Sequence, residues 1–181
     1  QGNARVSAMI HGLKGSLLWA RYDFADAVEA HKKSLSFFEQ TGDEVRIGRA
    51  MINLAVNLDS IGEIEQGGVF YKKGLALSQQ AGDFWNEFRA ANNMGTRYHH
   101  LLNENDRALT CWQFAFGAAE RLGKHYECAV VRFNMACMFY DTRDFKRAGS
   151  LLTWIIQTVR EKQFPQVLAF ACGLQTMVLV Q

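Results

Sequence analysis

The sequence predicts an all-α protein, an α-α superhelix in which antiparallel helix pairs stack as a solenoid. Three observations carry that expectation. A short layout recurs at nearly constant spacing: Arg49-Ala50-Met51-Ile52-Asn53-Leu54-Ala55, then Arg89-Ala90-Ala91-Asn92-Asn93-Met94-Gly95 forty residues on, then Val130-Val131-Arg132-Phe133-Asn134-Met135-Ala136 forty-one further. A period of that length belongs to a unit of two helices that buries its apolar face only by stacking on its neighbours. A single proline, Pro165, in 181 residues leaves the helices uninterrupted, and 49 % hydrophobic residues provide for a sizeable core. Glycine supplies the punctuation. Thr41-Gly42-Asp43 is repeated forty residues later as Gly82-Asp83, and Gly123-Lys124 keeps the glycine alone. A glycine just past a helix takes the left-handed cap, and an aspartate after it can cap the next helix.

Taken in order, the first helix is expected over about 4–20, the turn at Arg21-Tyr22-Asp23, and the second helix from Phe24 to about Gln40. The following pairs are expected at 43–61 and 63–81, 83–102 and 104–122, and 124–141 and 144–162. A last helix starts near Pro165, a residue suited to a first-turn position. One domain of 1–181 results, with repeats at about 3–42, 43–82, 83–123 and 124–163 and a partial repeat or capping helix over 164–181. Because Gln1 is not a methionine, the sequence is expected to be a piece of a longer protein.

Within each pair the first helix carries a stripe of apolar residues at helical spacing. Met51, Leu54, Ala55, Leu58 and Ile61 form it in the second repeat, and Ala91, Met94, Gly95, Tyr98 and Leu101 in the third. Small residues recur where helices must approach closely: Gly15, Ala55, Gly95 and Ala136 on the first helices, Ala27, Gly67, Ala108 and Ala148 on the second. One extra residue around Asn103-Glu104-Asn105 accounts for the forty-one-residue spacing.

These residues carry a family resemblance. Asn93-Met94-Gly95 followed by Tyr98, Leu101 and Ala108, and Gly15 with Leu18, Tyr22, Phe24 and Ala27, resemble the tetratricopeptide repeat (TPR). The forty-residue length, the Gly-Asp ending and the opening in which Arg-Ala precedes Asn, Leu or Met, and Gly or Ala are similar to a longer subclass, that of the LGN/Pins polarity adaptors and the sensor domain of MalT-like bacterial regulators. The resemblance covers 5–162 and is weak beyond. Arg132 departs from it, standing where a buried apolar residue is expected, and Thr176 stands where a small residue would recur.

The resemblance implies that the first helices line a concave groove. Steps along the helix from Asn53 reach Arg49, Val56 and Ser60; from Asn93 they reach Arg89, Thr96 and His100; from Asn134 they reach Val130, Cys137 and Asp141. A side-chain amide both donates and accepts, so a ladder of asparagines can pair with the backbone of an extended peptide whatever its sequence. Arg49 and Arg89 beside them would favour carboxylates. Two other roles stay open: the asparagines bonding the neighbouring repeat's backbone to fix the stacking, and the arginines as solvated charges.

A net charge of +2 and a pI near 8.4 describe a mixed surface with no footing for direct nucleic-acid binding. No apolar run approaches the roughly 18 residues of a membrane span, and no signal peptide opens the chain. Cys111, Cys128, Cys137 and Cys172 have no paired spacing and read as reduced core residues of a cytoplasmic protein. His99 and His100 point about 100° apart on a helix and cannot share a metal, and His125 with Cys128 lacks further ligands at conventional spacing. No phosphate loop, nucleophile elbow or facing carboxylate pair occurs, so neither a cofactor nor catalysis is expected. The sequence therefore points to a non-enzymatic protein-interaction scaffold holding a peptide or partner helix, acidic if the arginines face it. The alternative is a ligand- or signal-sensing domain of a larger transcriptional regulator. The last helix carries Phe164, Val167, Leu168, Phe170, Ala171, Leu174, Met177, Val178 and Val180, more apolar circumference than one buried face uses. It is expected to continue into another repeat or to pair with a second copy, unless it is wholly buried as a cap.

Overall fold

The computed structural model describes residues 2–180; Gln1 and Gln181, the two ends of the expected 1–181 domain, lie outside the described residues. Those residues form nine helices and no strand: α1 (Gly2–Ala20), α2 (Phe24–Glu39), α3 (Glu44–Ser60), α4 (Ile64–Ala81), α5 (Phe84–His100), α6 (Asn105–Arg121), α7 (His125–Asp141), α8 (Phe145–Glu161) and α9 (Pro165–Leu179). The chain divides into two compact units, Gln1–Ala90 and Ala91–Gln181, with the division inside α5. In the first unit α1 packs on α2, α2 on α3 and α3 on α4. In the second, α6 packs on α7, α7 on α8, and α9 on both α8 and α7.

Each of the first eight helices is followed by a residue of left-handed conformation, and these residues are spaced with a regularity the glycines alone did not display. Tyr22, Gly42, Gly62, Gly82, Asn103, Gly123, Arg143 and Gln163 all have φ between 54° and 84°. They recur every twenty residues, with twenty-one only between Gly82 and Asn103. The turn inside a pair is thus built like the turn between pairs. In most of them the next N–H reaches back to the carbonyl five residues earlier, Glu63 to Leu58 (2.9 Å), Asp83 to Ser78 (2.9 Å) and Lys124 to Ala119 (3.0 Å), the Schellman closure. At Asn103 the reach is one residue longer, Glu104 N–H to the Tyr98 carbonyl at 2.7 Å, which places the inserted residue. Asp43, Asp83 and Asp144 then accept the backbone N–H three residues on, at 3.1, 3.1 and 3.0 Å, and so open α3, α5 and α8.

A side chain in the left-handed region costs roughly 1–2 kcal/mol against glycine. Arg143, exposed at φ 62°, bears that cost. Arg143→Gly is therefore expected to raise stability by about 0.5–1 kcal/mol, a melting temperature roughly 1–4 °C higher. An unchanged or lower melting temperature would show that the arginine side chain contributes something the turn geometry does not.

The small residues sit where the register expects them, and size is matched across the pair. Ala27, Ala55, Ala108, Ala136 and Ala148 are wholly buried. A methyl added to Gly15 would fall 2.6 Å from the ring of His31, and one added to Gly95 would fall 2.5 Å from Trp112. Where the facing residue is Leu152, the first helix carries Ala136 instead, in one cluster with it. The apolar stripes are buried except at their ends. Ile61 and Leu101 are exposed, because Ile61 caps α3 and Leu101 follows the last residue of α5, so neither faces the core. Arg132 fills its apolar position by stacking: its guanidinium lies 3.6 Å from the Trp154 ring centre and 4.4 Å from that of Phe116. α9 buries Val167 and Ala171 in the cluster of α7 and α8 and leaves Phe170, Met177, Leu179 and Val180 exposed.

Candidate functional site

In the first unit the polar stripe of the first helices is partly used up in holding those helices together. Arg89 of α5 donates to the Asn53 side-chain oxygen of α3 at 2.6 Å and to Asn86 at 3.2 Å, while Asn86 donates to Asp83 at 2.6 Å. Burial, and after it the like charge of Arg49, lower the Arg89 pKa, which Tyr71 and Asp83 oppose. Arg89 is thus a tethered, half-buried cation. Truncating it would leave Asn53 and Asn86 without their donor, and Arg89→Ala is expected to cost about 1–3 kcal/mol of stability, read as a lowered denaturation midpoint. Among the described residues the side-chain N–H group of Asn53 makes no hydrogen bond.

Arg49 differs from Arg89. It is exposed and makes no hydrogen bond or ion pair among the described residues. With Asn53 it borders an open cleft of roughly 160 Å³ whose walls are Ala8, Met9, Gly12, Leu13 and Ser16 of α1, Ser34 and Phe38 of α2, and Arg46 and Ala50 of α3. Arg46 is turned toward Asp43 at 2.8 Å, and Ser34 donates to the Ala8 carbonyl at 2.8 Å, so neither competes for a ligand as Arg49 can. Val56 is half-buried beside the cleft's helix, its carbonyl accepting from the Ser60 hydroxyl at 3.0 Å. The contribution of α1 was missed from the sequence. Stepping forty residues back from Arg49, Asn53 and Val56 gives Met9, Leu13 and Ser16, and that signal was available.

In the second unit Asn134 donates to the Asn92 side-chain oxygen at 3.1 Å, and Thr96 donates to the Asn92 carbonyl at 3.1 Å. Asn93 is half-buried, and its side chain makes no hydrogen bond among the described residues. Asp141 of α7 lies 3.0 Å from His99 Nε2, and the other ring nitrogen of His99 lies 2.8 Å from Asn105. His100 is exposed, its pKa lowered first by partial burial, then by His99, with Asp141 opposing. The asparagines that bond a neighbouring repeat therefore do so through side chains, Asn53 to Arg89 and Asn134 to Asn92, and not through backbone.

The thiols are placed against reactivity. Burial is the first cause that raises the pKa of Cys111, Cys128 and Cys137, the last pushed up to about 11 with Asp141 adding to it. All four cysteines are unpaired. Among the described residues no group of three or more His, Cys, Asp or Glu is placed to hold a metal ion, and no helix is long and apolar enough to cross a membrane.

No protein-family model matches the chain, and no curated protein matches it. Solved structures do. BtubC (BKLC) from P. vanneervenii is similar with a TM-score of 0.80 at 19 % identity, over 91 % of this chain and 68 % of that one. A Rap protein complexed with Competence and Sporulation Factor is similar with a TM-score of 0.71 at 20 % identity, over 95 % of this chain and 48 % of the Rap chain, about half its length. Likeness at such identities is a likeness of fold, and the fold is an all-α superhelix, a TPR-like helical repeat.

Proposed function

We propose that the chain is a protein-interaction module that binds an acidic peptide or helical segment, with one carboxylate anchored by Arg49 at the mouth of the α1–α3 cleft. The observation that carries this reading is the contrast between the two arginines. Arg89 spends its guanidinium on Asn53 and Asn86, whereas Arg49 has no hydrogen-bond or ion-pair partner among the described residues and borders the cleft beside Met9 and Leu13. A guanidinium offers two parallel N–H donors to one carboxylate, and the free amide of Asn53 can donate to a ligand carbonyl alongside. Asn93 offers the same chemistry in the second unit. The complex of the Rap protein with its factor supports binding as the use of such a fold. A carboxylate pairing with exposed Arg49 is screened over about 8–10 Å at moderate salt. Titration with a synthetic peptide alternating Asp and Leu, beside its Asn-for-Asp counterpart, tests the reading. The acidic peptide should bind more tightly, lose affinity with salt, and lose about tenfold or more with Arg49→Ala. Equal binding of the two peptides would contradict it.

Burial raises the pKa of Cys111, Cys128 and Cys137, which supports a packing role for these three thiols, and four unpaired thiols support a reducing, cytoplasmic setting. The exposed Phe170, Met177 and Leu179 of α9, with Val180 after them, favour a further contact on that helix, with a following repeat or with a second copy of the chain.

A further inference from the structure

Both hydrogen bonds that hold Arg89 have a counterpart position forty residues earlier, and both are lost there. Arg89 donates to Asn53 of α3 at 2.6 Å and to Asn86 of its own helix at 3.2 Å. Arg49 stands forty residues before Arg89, and the positions forty before its two acceptors hold Leu13 and Arg46. A leucine side chain accepts nothing, and Arg46 is a second cation, turned to Asp43 at 2.8 Å as Asn86 is turned to Asp83 at 2.6 Å. Where α3 and α5 are bridged side chain to side chain, α1 and α3 are left with an open cleft of roughly 160 Å³ and a guanidinium beside it that bonds to none of the described residues. A helix preceding α1 would take the place that α2 takes on α3, over Ile10 and Lys14, the counterparts of Ala50 and Leu54. It would leave this cleft open, just as α2 leaves Asn53 to Arg89.

The wall of the cleft suits an apolar group. Ser16 donates to the Gly12 carbonyl at 3.1 Å and Ser34 to that of Ala8 at 2.8 Å, so both hydroxyl protons are spent. What remains to meet a ligand is the apolar surface of Ala8, Met9, Leu13, Phe38 and Ala50, with Arg49 and the Asn53 N–H group as the donors beside it. An apolar cavity of about 150 Å³ accepts a six-carbon ring, so the branched side chain of leucine or isoleucine fits this one and the two fused rings of tryptophan do not. We infer, on the acidic-peptide reading above, that Leu13 leaves Arg49 without an acceptor and so makes the α1–α3 gap a pocket for one branched aliphatic side chain, next in the ligand to the carboxylate that Arg49 takes. Leu13 is then the residue that sets specificity, although it carries no charge.

The test is titration of the full chain with three peptides that alternate Asp with Leu, Ala or Trp, beside the Asn-for-Asp counterpart of the first. The Leu peptide should bind about tenfold or more tighter than the Ala and Trp peptides. Leu13→Asn restores to Arg49 the acceptor that Asn53 gives Arg89, and should close the site. Affinity for the Asp-Leu peptide should fall about tenfold or more and its salt dependence with it, while the melting temperature holds or rises. Leu13→Ala, which supplies no acceptor, should lose the preference for Leu over Ala. Four results would overturn the inference while the preference for Asp over Asn, and with it the acidic-peptide reading, stands: equal binding of the Leu, Ala and Trp peptides, Leu13→Asn binding as the parent does, affinity lost in Leu13→Asn only with a lowered melting temperature, or Leu13→Ala keeping the preference for Leu. Equal binding of the Asp and Asn peptides would remove that reading itself, and the pocket's role with it.

Discussion

Gly95→Leu is expected to destabilise the second unit more than a typical surface change by a wide margin. Even the first added carbon would lie 2.5, 2.6 and 2.8 Å from three atoms of the Trp112 indole, where ordinary contact begins near 3.4 Å. Trp112 has nowhere to retreat: it is 1 % exposed, with Ala108 and Ala115 of its own helix buried beside it and His99 against its edge. Overpacking of this kind costs about 1–3 kcal/mol or more, and each kcal/mol moves the midpoint by roughly 2–4 °C in a chain of this size. Thermal melting followed by circular dichroism should show a loss on the order of 10 °C. Gly117→Ala is the control, since nothing lies within 4 Å of a methyl there, and it should be neutral or slightly stabilising. If the strain is local to the pair, Gly95→Leu combined with Trp112→Ala should cost less than the two changes summed.

Acid should weaken the first unit over a window set by His31. Its ring is buried against Gly15, Nδ1 has no hydrogen-bond partner, and burial brings its pKa from 6.5 down to about 4. Above pH 6.5 the residue is neutral in the folded and unfolded chain alike, and it contributes no pH dependence. Between 6.5 and about 4 the unfolded chain takes up a proton that the folded chain refuses, so stability falls as pH falls. The loss approaches about 3 kcal/mol by the lower end. Urea titrations across that window should show the decline, and His31→Gln should flatten it even if its stability at pH 7 is lower. A slope in the variant as steep as in the parent would assign the acid sensitivity to other groups.

The fold was legible because its determinants are local and periodic. Each helix observed begins and ends within two residues of its expected limits, since glycine or aspartate marks three boundaries and a forty-residue offset carries the rest. What the sequence hid was the equivalence of all eight turns. Tyr22, Arg143 and Gln163 adopt the left-handed conformation without the residue that advertises it, held there by the helices on either side. The polar stripe was legible as a row of positions and less so as a set of pairings. Helical spacing places Arg49, Asn53 and Arg89 together, but it does not reveal that Arg89 reaches across to Asn53, or that Asn134 finds Asn92 in place of a ligand. Those pairings depend on the distance between neighbouring first helices, which no single repeat contains. Arg132 is a similar case, its apolar slot filled by a cation because two aromatic faces happen to flank it.

Arg49 and Arg89, equivalent by sequence spacing, are assigned different parts, and one paired measurement on each decides between them. Thermal melting and titration with the alternating Asp-Leu peptide should be run on Arg49→Ala and Arg89→Ala side by side. Arg49→Ala should keep the parent melting temperature and lose about tenfold or more in affinity together with most of its salt dependence, while Arg89→Ala should melt earlier. A lowered melting temperature for Arg49→Ala with affinity unchanged would contradict the account, because Arg49 would then be a structural residue and the cleft it borders would not be the anchor.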